Sequence, residues 1–129
     1  MKAAAIGSPG GWPIAPITTF EGEALRYPAG VSDVPFDHDA FAKVPQLFVM
    51  GARDDNDSLD FRDGWDEDAA RQVDRLFGYD PQQRWPRAEQ LYRASGVDAR
   101  FMLIDGIGHD RRMLQEHSTR FFREILKRD

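Results

Sequence analysis

Three short apolar runs punctuate the chain, at Ala3 to Ile6, Gln46 to Met50 and Arg100 to Ile104, and each ends in a glycine-rich or acidic loop. Runs of this length bounded by turn residues predict strands. Two of them are nearly continuous rather than alternating, the pattern of strands covered on both faces by helices, so a parallel sheet is expected. Between the second and third runs, Ala69, Ala70, Val73, Leu76 and Phe77 recur at helical spacing, with Gly78 placed as a C-terminal cap. A second helix follows from Trp85, Ala88, Leu91 and Tyr92 and is stopped by Gly96. The last segment places Met113, Leu114, His117, Phe121, Phe122, Ile125 and Leu126 on one helical face, with basic residues at its end that suit the helix dipole. That face is expected to pack on the sheet. A short helix is expected from Asp37 to Lys43.

Strand, loop and helix, strand, two helices, strand, helix is an order whose crossovers are long enough to be right-handed and parallel. In such sheets chemistry collects outside the carboxyl ends of the strands, so the loops to read begin at Gly7, Gly51 and Asp105. Residues Pro13 to Pro35 hold four of the eight prolines and show no clear period. A long excursion of that kind in a small domain is often a lid or a binding loop. Trp12 to Val34 is therefore the candidate lid, with Trp12, Phe20 and Tyr27 as apolar contacts to a substrate or, alternatively, as packing against the sheet.

Composition narrows the function classes. At 129 residues the chain has the size of one domain, and 41% hydrophobic residues suffice for a core. Net charge is −5, and no basic stripe in the sequence suits a phosphate backbone, so nucleic acid is not an expected partner. The absence of cysteine removes disulfides and thiolate metal sites. No apolar stretch is long enough to cross a bilayer, and the N-terminal segment lacks the apolar core of a secretory signal, so a soluble cytoplasmic protein with no membrane partner is expected.

The chemistry lies in two loops. The second strand runs into Gly51-Ala52-Arg53-Asp54-Asp55-Asn56-Asp57, and the third into Asp105-Gly106-Ile107-Gly108-His109-Asp110. Adjacent parallel strands sit roughly 5 Å apart, so a carboxylate after one and a histidine after the other can meet. Such a carboxylate fixes the imidazole tautomer and stabilises the imidazolium formed during proton transfer. Asp54 is the first candidate acid, with Asp55 and Asp57 as rivals, and His109 could instead bond Asp105 or Asp110. An EF-hand beginning at Asp54 fails, because its sixth and twelfth positions would be Leu59 and Trp65 rather than glycine and glutamate. His38 and His117 share no metal-ligand spacing with His109, and no metal or cofactor is expected.

At these residues the chain resembles the α/β-hydrolase superfamily, in particular esterase-like and depolymerase-like hydrolases. Val44 to Asp54 is similar to the family's seventh strand and its Gly-x-x-Asp acid loop, Ile107-Gly108-His109 to the Gly-His loop after the eighth strand, residues 112–127 to the closing helix, and Ala3 to Pro16 to the sixth strand and its exit. The resemblance implies a partial α/β-hydrolase sheet of about three parallel strands (family strands 6 to 8) with flanking helices, residues 1–129 forming the C-terminal part of one domain. It implies Asp54 as triad acid and His109 as general base, in the family's order of nucleophile, acid, histidine.

The family's Gly-x-Ser-x-Gly nucleophile is not in the sequence. Of Ser8, Ser32, Ser58, Ser95 and Ser118 only Ser8 lies in a glycine-rich loop, and Pro9 and Pro13 obstruct a helix there, so a tight turn is expected instead. Nor does Gly7 to Gly11 make a phosphate loop, since Trp12-Pro13 supplies no helix behind it. The resemblance thus implies carboxylic ester hydrolysis through an acyl-enzyme in a complete enzyme acting on a small-molecule ester, with little activity from this chain alone. An N-terminal half or a homo-oligomer is expected to cover the edge of the first strand. A non-catalytic interaction or ligand-binding module with a vestigial pair remains an alternative, and it expects Asp54 and His109 to lie apart or to point away from any pocket. An enzyme using the pair with a metal is the third.

Overall fold

The computed structural model describes residues 2–8, 17, 19–24, 36–56 and 67–127. In chain order the elements are β1 (Ala4–Gly7), β2 (Thr19–Phe20), β3 (Glu23–Ala24), α1 (His38–Ala42), β4 (Gln46–Gly51), α2 (Glu67–Phe77), α3 (Pro81–Ala94), β5 (Ala99–Ile104) and α4 (Arg111–Leu126). β1, β4 and β5 form one sheet in the order β1-β4-β5, with both pairings parallel. Ala4 lies opposite Gln46, and β4 and β5 stay in register from Gln46 and Ala99 to Gly51 and Ile104. The three expected strands and the helices between them are therefore present.

β4 explains its own sequence. Every residue of Gln46–Gly51 is buried, because the strand is central and both faces are covered. Phe48 and Met50 join Val73 and Phe77 of α2 and Trp85, Ala88 and Tyr92 of α3, while Leu47 and Val49 join Phe121 and Ile125 of α4. Removing four apolar side chains from water contributes about 1.5–3 kcal/mol each. The ring of Phe48 stacks on Phe101 at 4.8 Å, and Tyr92 and Trp85 close on that pair edge-on at 5.1 and 5.3 Å.

Helix starts follow acidic caps. Asp37 accepts from Ala40 N, Asp80 from Gln83 N ahead of Pro81, and Asp110 from Arg112 N, each satisfying an amide with no intrahelical partner. After α2 the chain turns through Gly78 at φ +113°, open only to glycine at low cost. Arg84 then ties α2 to α3 from a fully buried position: Nε donates to Gly78 O at 2.8 Å, and Nη2 to Tyr79 O at 3.0 Å and Asp74 Oδ1 at 3.2 Å.

Three expectations need correction. β5 is not covered on both faces; Met102 and Leu103 are 39% and 44% exposed, and among the described residues β5 is the last strand on its side of the sheet. On α4, Phe121 and Ile125 point inward, but Phe122 and Leu126 are 38% and 65% exposed. Each residue advances about 100° around a helix, so a stripe that includes both neighbours of a pair is wider than a three-stranded sheet can cover. The segment after Pro13 is also not wholly irregular. β2 and β3 pair antiparallel around Glu21 (φ +50°) and Gly22 (φ +82°), the left-handed pair of a two-residue hairpin turn. Arg75 of α2 bridges to both Glu21 and Glu23 across the hairpin.

Candidate functional site

The loops leaving β4 and β5 are stitched to one another. Ala52 N donates to Ile104 O at 2.9 Å, Arg53 N to Ile107 O at 2.8 Å, and Asp54 N back to Gly51 O at 3.0 Å. Gly51 permits this closeness, since a Cβ there would collide with the carbonyl oxygens of Ile107 and Gly108. The parallel register thus brings the two loops together at the carboxyl edge of the sheet, where the sequence placed its chemistry.

Asp54 and His109 meet there. His109 Nδ1 lies 3.1 Å from Asp54 Oδ2 and 3.3 Å from Oδ1. The Asp54 side chain is 2% exposed and that of His109 is 45% exposed. A carboxylate only accepts, so Nδ1 carries the proton and the neutral ring presents Nε2 as its acceptor. Among the described residues nothing hydrogen-bonds Nε2. A buried acid that orients a half-exposed imidazole is suited to take a proton at Nε2 and stabilise the resulting cation.

Two residues that the sequence reading passed over hold the acid. Asn56 N donates to Asp54 Oδ1 at 3.1 Å, closing an Asx turn, and Gln82 Nε2 of α3 donates to Asp54 O at 2.7 Å. Asn56 Nδ2 also lies 3.5 Å from His109 Nδ1, but two N–H donors facing each other at that range do not make a bond. Asn56 had a signal, the Asx turn Asp54-Asp55-Asn56. Gln82 had none, because it comes from a helix 28 positions downstream of Asp54.

The other candidates fall as follows. Asp55 is exposed, Asp57 lies outside the described residues, Asp105 is exposed, and Asp110 caps α4 instead of holding His109. Trp12 and Tyr27 lie outside the described residues. Phe20 is half-buried and packs with Ile17 against the Phe48 and Met50 cluster. His38 faces Asp39 at 3.9 Å and His117 is half-buried on α4, neither near the dyad's bonds.

Among the serines, Ser32 and Ser58 lie outside the described residues, Ser95 ends α3, and Ser118 Oγ donates to Leu114 O at 2.8 Å. Ser8 follows β1 at φ +45°, and its Oγ is buried with no partner among the described residues; the rest of the expected tight turn, from Pro9 on, lies outside the described residues. Ser8 makes no hydrogen bond to His109. Among the described residues no group of three or more His, Asp or Glu side chains is gathered to hold a metal, and no helix is long and apolar enough to cross a membrane.

No protein-family model, curated protein or solved structure matches this chain.

Proposed function

We propose that this chain is the acid-and-base portion of a serine-type α/β-hydrolase that cleaves carboxylic esters, with β1, β4 and β5 as the sixth to eighth strands of that family's sheet. The observation that carries the reading is the bond from His109 Nδ1 to the buried carboxylate of Asp54 at 3.1 Å, with Nε2 left to accept. In this reading His109 Nε2 takes the proton of a serine hydroxyl as the oxygen attacks the ester carbonyl. Asp54 holds the imidazolium, which returns the proton to the leaving alkoxide. Water, activated by the same imidazole, then releases the acid. The serine and the amides that hold the oxyanion come from outside these 129 residues, and the substrate is a small-molecule ester. An interaction module with a vestigial pair has no need of a buried acid aligned on one ring nitrogen, so the geometry favours the catalytic reading.

Two measurements test it. Nitrogen-15 NMR of the imidazole is expected to show the Nδ1-protonated tautomer in the native chain and to lose that preference in Asp54→Asn. Hydrolysis of p-nitrophenyl butyrate by the chain alone is expected to stay near the buffer rate. Loss of the tautomer preference in the native protein removes the dyad. Rapid turnover blocked by a fluorophosphonate places the nucleophile among the chain's own serines and overturns the division of labour.

A further inference from the structure

The outer face of α4 has a charge pattern of its own. Residues Arg111 to Lys127 carry five cations and two carboxylates, in a chain whose net charge is −5. Phe121 and Ile125 turn the opposite face of the helix onto the sheet. Along the outer face runs an open groove of about 540 Å³, whose walls include Arg112, Glu116, Arg120, Arg123, Glu124 and Lys127. Both carboxylates are engaged: Glu124 accepts from Arg100 of β5 at 2.8 Å, and Glu116 lies 3.7 Å from Arg120. Arg112, Arg123 and Lys127 have no carboxylate within ion-pair reach among the described residues.

Helix stability explains only part of this. Arg123 and Lys127 suit the negative end of the helix dipole, but Arg112 sits in the first turn, which holds no acid and where a cation is unfavourable. At 100° per residue Arg112, Arg123 and Lys127 fall within about 60° of one another, so one ligand can reach all three. Leu126, about 60° around the helix from Arg123, and Phe122 beyond it are exposed and give the groove an apolar margin.

We infer that this groove docks an acidic peptide segment of a partner protein, with carboxylates on Arg112, Arg123 and Lys127 and an apolar side chain on Leu126. Spacing selects this occupant. The three cations lie about 16 and 6 Å apart along the axis, with Glu116 and Glu124 between them. A peptide can place its carboxylates at the cations and leave gaps at the glutamates. A nucleic-acid backbone or an anionic bilayer sets negative charge against both glutamates, and a phosphate backbone makes no use of Leu126. The groove faces away from the sheet, so it is untouched by the strands that the hydrolytic reading adds beside β1, and either proposal can fail alone.

The test is fluorescence anisotropy of a labelled peptide of about four Glu-Glu-Leu-Ala repeats, long enough as a helix to span Arg112 to Lys127. Saturable binding is expected that weakens on the order of tenfold between about 20 and about 200 mM salt, with none for the Gln-Gln-Leu-Ala counterpart. Arg112→Gln, Arg123→Gln and Lys127→Gln together should weaken it about tenfold, since an exposed ion pair is worth roughly two- to fivefold. The triple variant should keep the native far-ultraviolet spectrum. If it does not fold, the native amide shifts decide: those of Thr119 and Arg123 should move with peptide while those of α3 stay. Absence of saturable binding, binding undiminished in the folded variant, or shifts elsewhere than α4 overturns the inference. So does equal or tighter binding to phosphatidylserine vesicles or to a single-stranded oligonucleotide.

Discussion

Gln82 donates its side-chain amide to the main-chain carbonyl of Asp54 at 2.7 Å, tying the acid loop to the first turn of α3. Neither the carboxylate nor the imidazole is touched by this bond, so its effect on the dyad is one of position. Gln82→Ala is expected to cost about 1 kcal/mol, the usual worth of such a bond. Faster amide exchange at Asp54 and Asn56 and a weaker Nδ1 tautomer preference at His109 should accompany that loss. Unchanged exchange in the loop would show that Asn56 and the β5 loop hold Asp54 unaided.

Arg84 is 1% exposed, and its guanidinium satisfies two carbonyls and one carboxylate at the joint between α2 and α3. Arg84→Ala leaves those acceptors facing a void and is expected to destabilise the fold by about 3 kcal/mol, in the range for breaking buried charged contacts. Arg84→Lys should recover less than half of that, because a single ammonium cannot span a planar fork. Urea midpoints of the three proteins check the order.

The aromatic neighbours on α4 are expected to part company. Phe121 is 3% exposed against Leu47 and Val49, and Phe121→Ala should cost about 3–5 kcal/mol. Phe122 is 38% exposed and touches Phe121 at a ring separation of 5.6 Å, so Phe122→Ala should cost under about 1 kcal/mol. Similar losses from the two would mean that Phe122 is covered in solution.

Burial raises the Tyr92 phenol well above its ordinary value. The folded state therefore holds the neutral phenol at a pH where the unfolded chain has ionised, and the unfolded tyrosine titrates near about 10. The stabilising contribution is fully present below that pH and is lost as pH rises through it toward the folded value. Denaturant midpoints are expected to fall between about pH 10 and 11, and Tyr92→Phe should remove that part of the slope. A slope unchanged in the variant would assign alkaline unfolding to other groups.

The fold was legible where one local rule and one burial environment agreed. Gln46 to Met50 reads as a doubly covered strand because it is one, and α2 and α3 end where Gly78 and Gly96 turn the chain at positive φ. The meeting of the acid loop with the histidine loop was legible too, since each leaves a strand and parallel register carries both to one edge. Where the rules conflicted the reading failed. Phe122 and Leu126 share the spacing of core residues, and Glu21-Gly22 is a weaker hairpin signal than an Asn-Gly pair.

The sequence by itself therefore determined the three strands of the main sheet, the helices, the glycine stops after α2 and α3 and the two loops that carry chemistry, because those depend on neighbours within a few positions. Only the tertiary structure decided which apolar face of α4 is covered, which acid the histidine meets and that Gln82 and Arg84 brace the joints around α3. Each of these depends on groups brought together from distant parts of the chain, where the strength of a contact is set by register and packing rather than by local spacing.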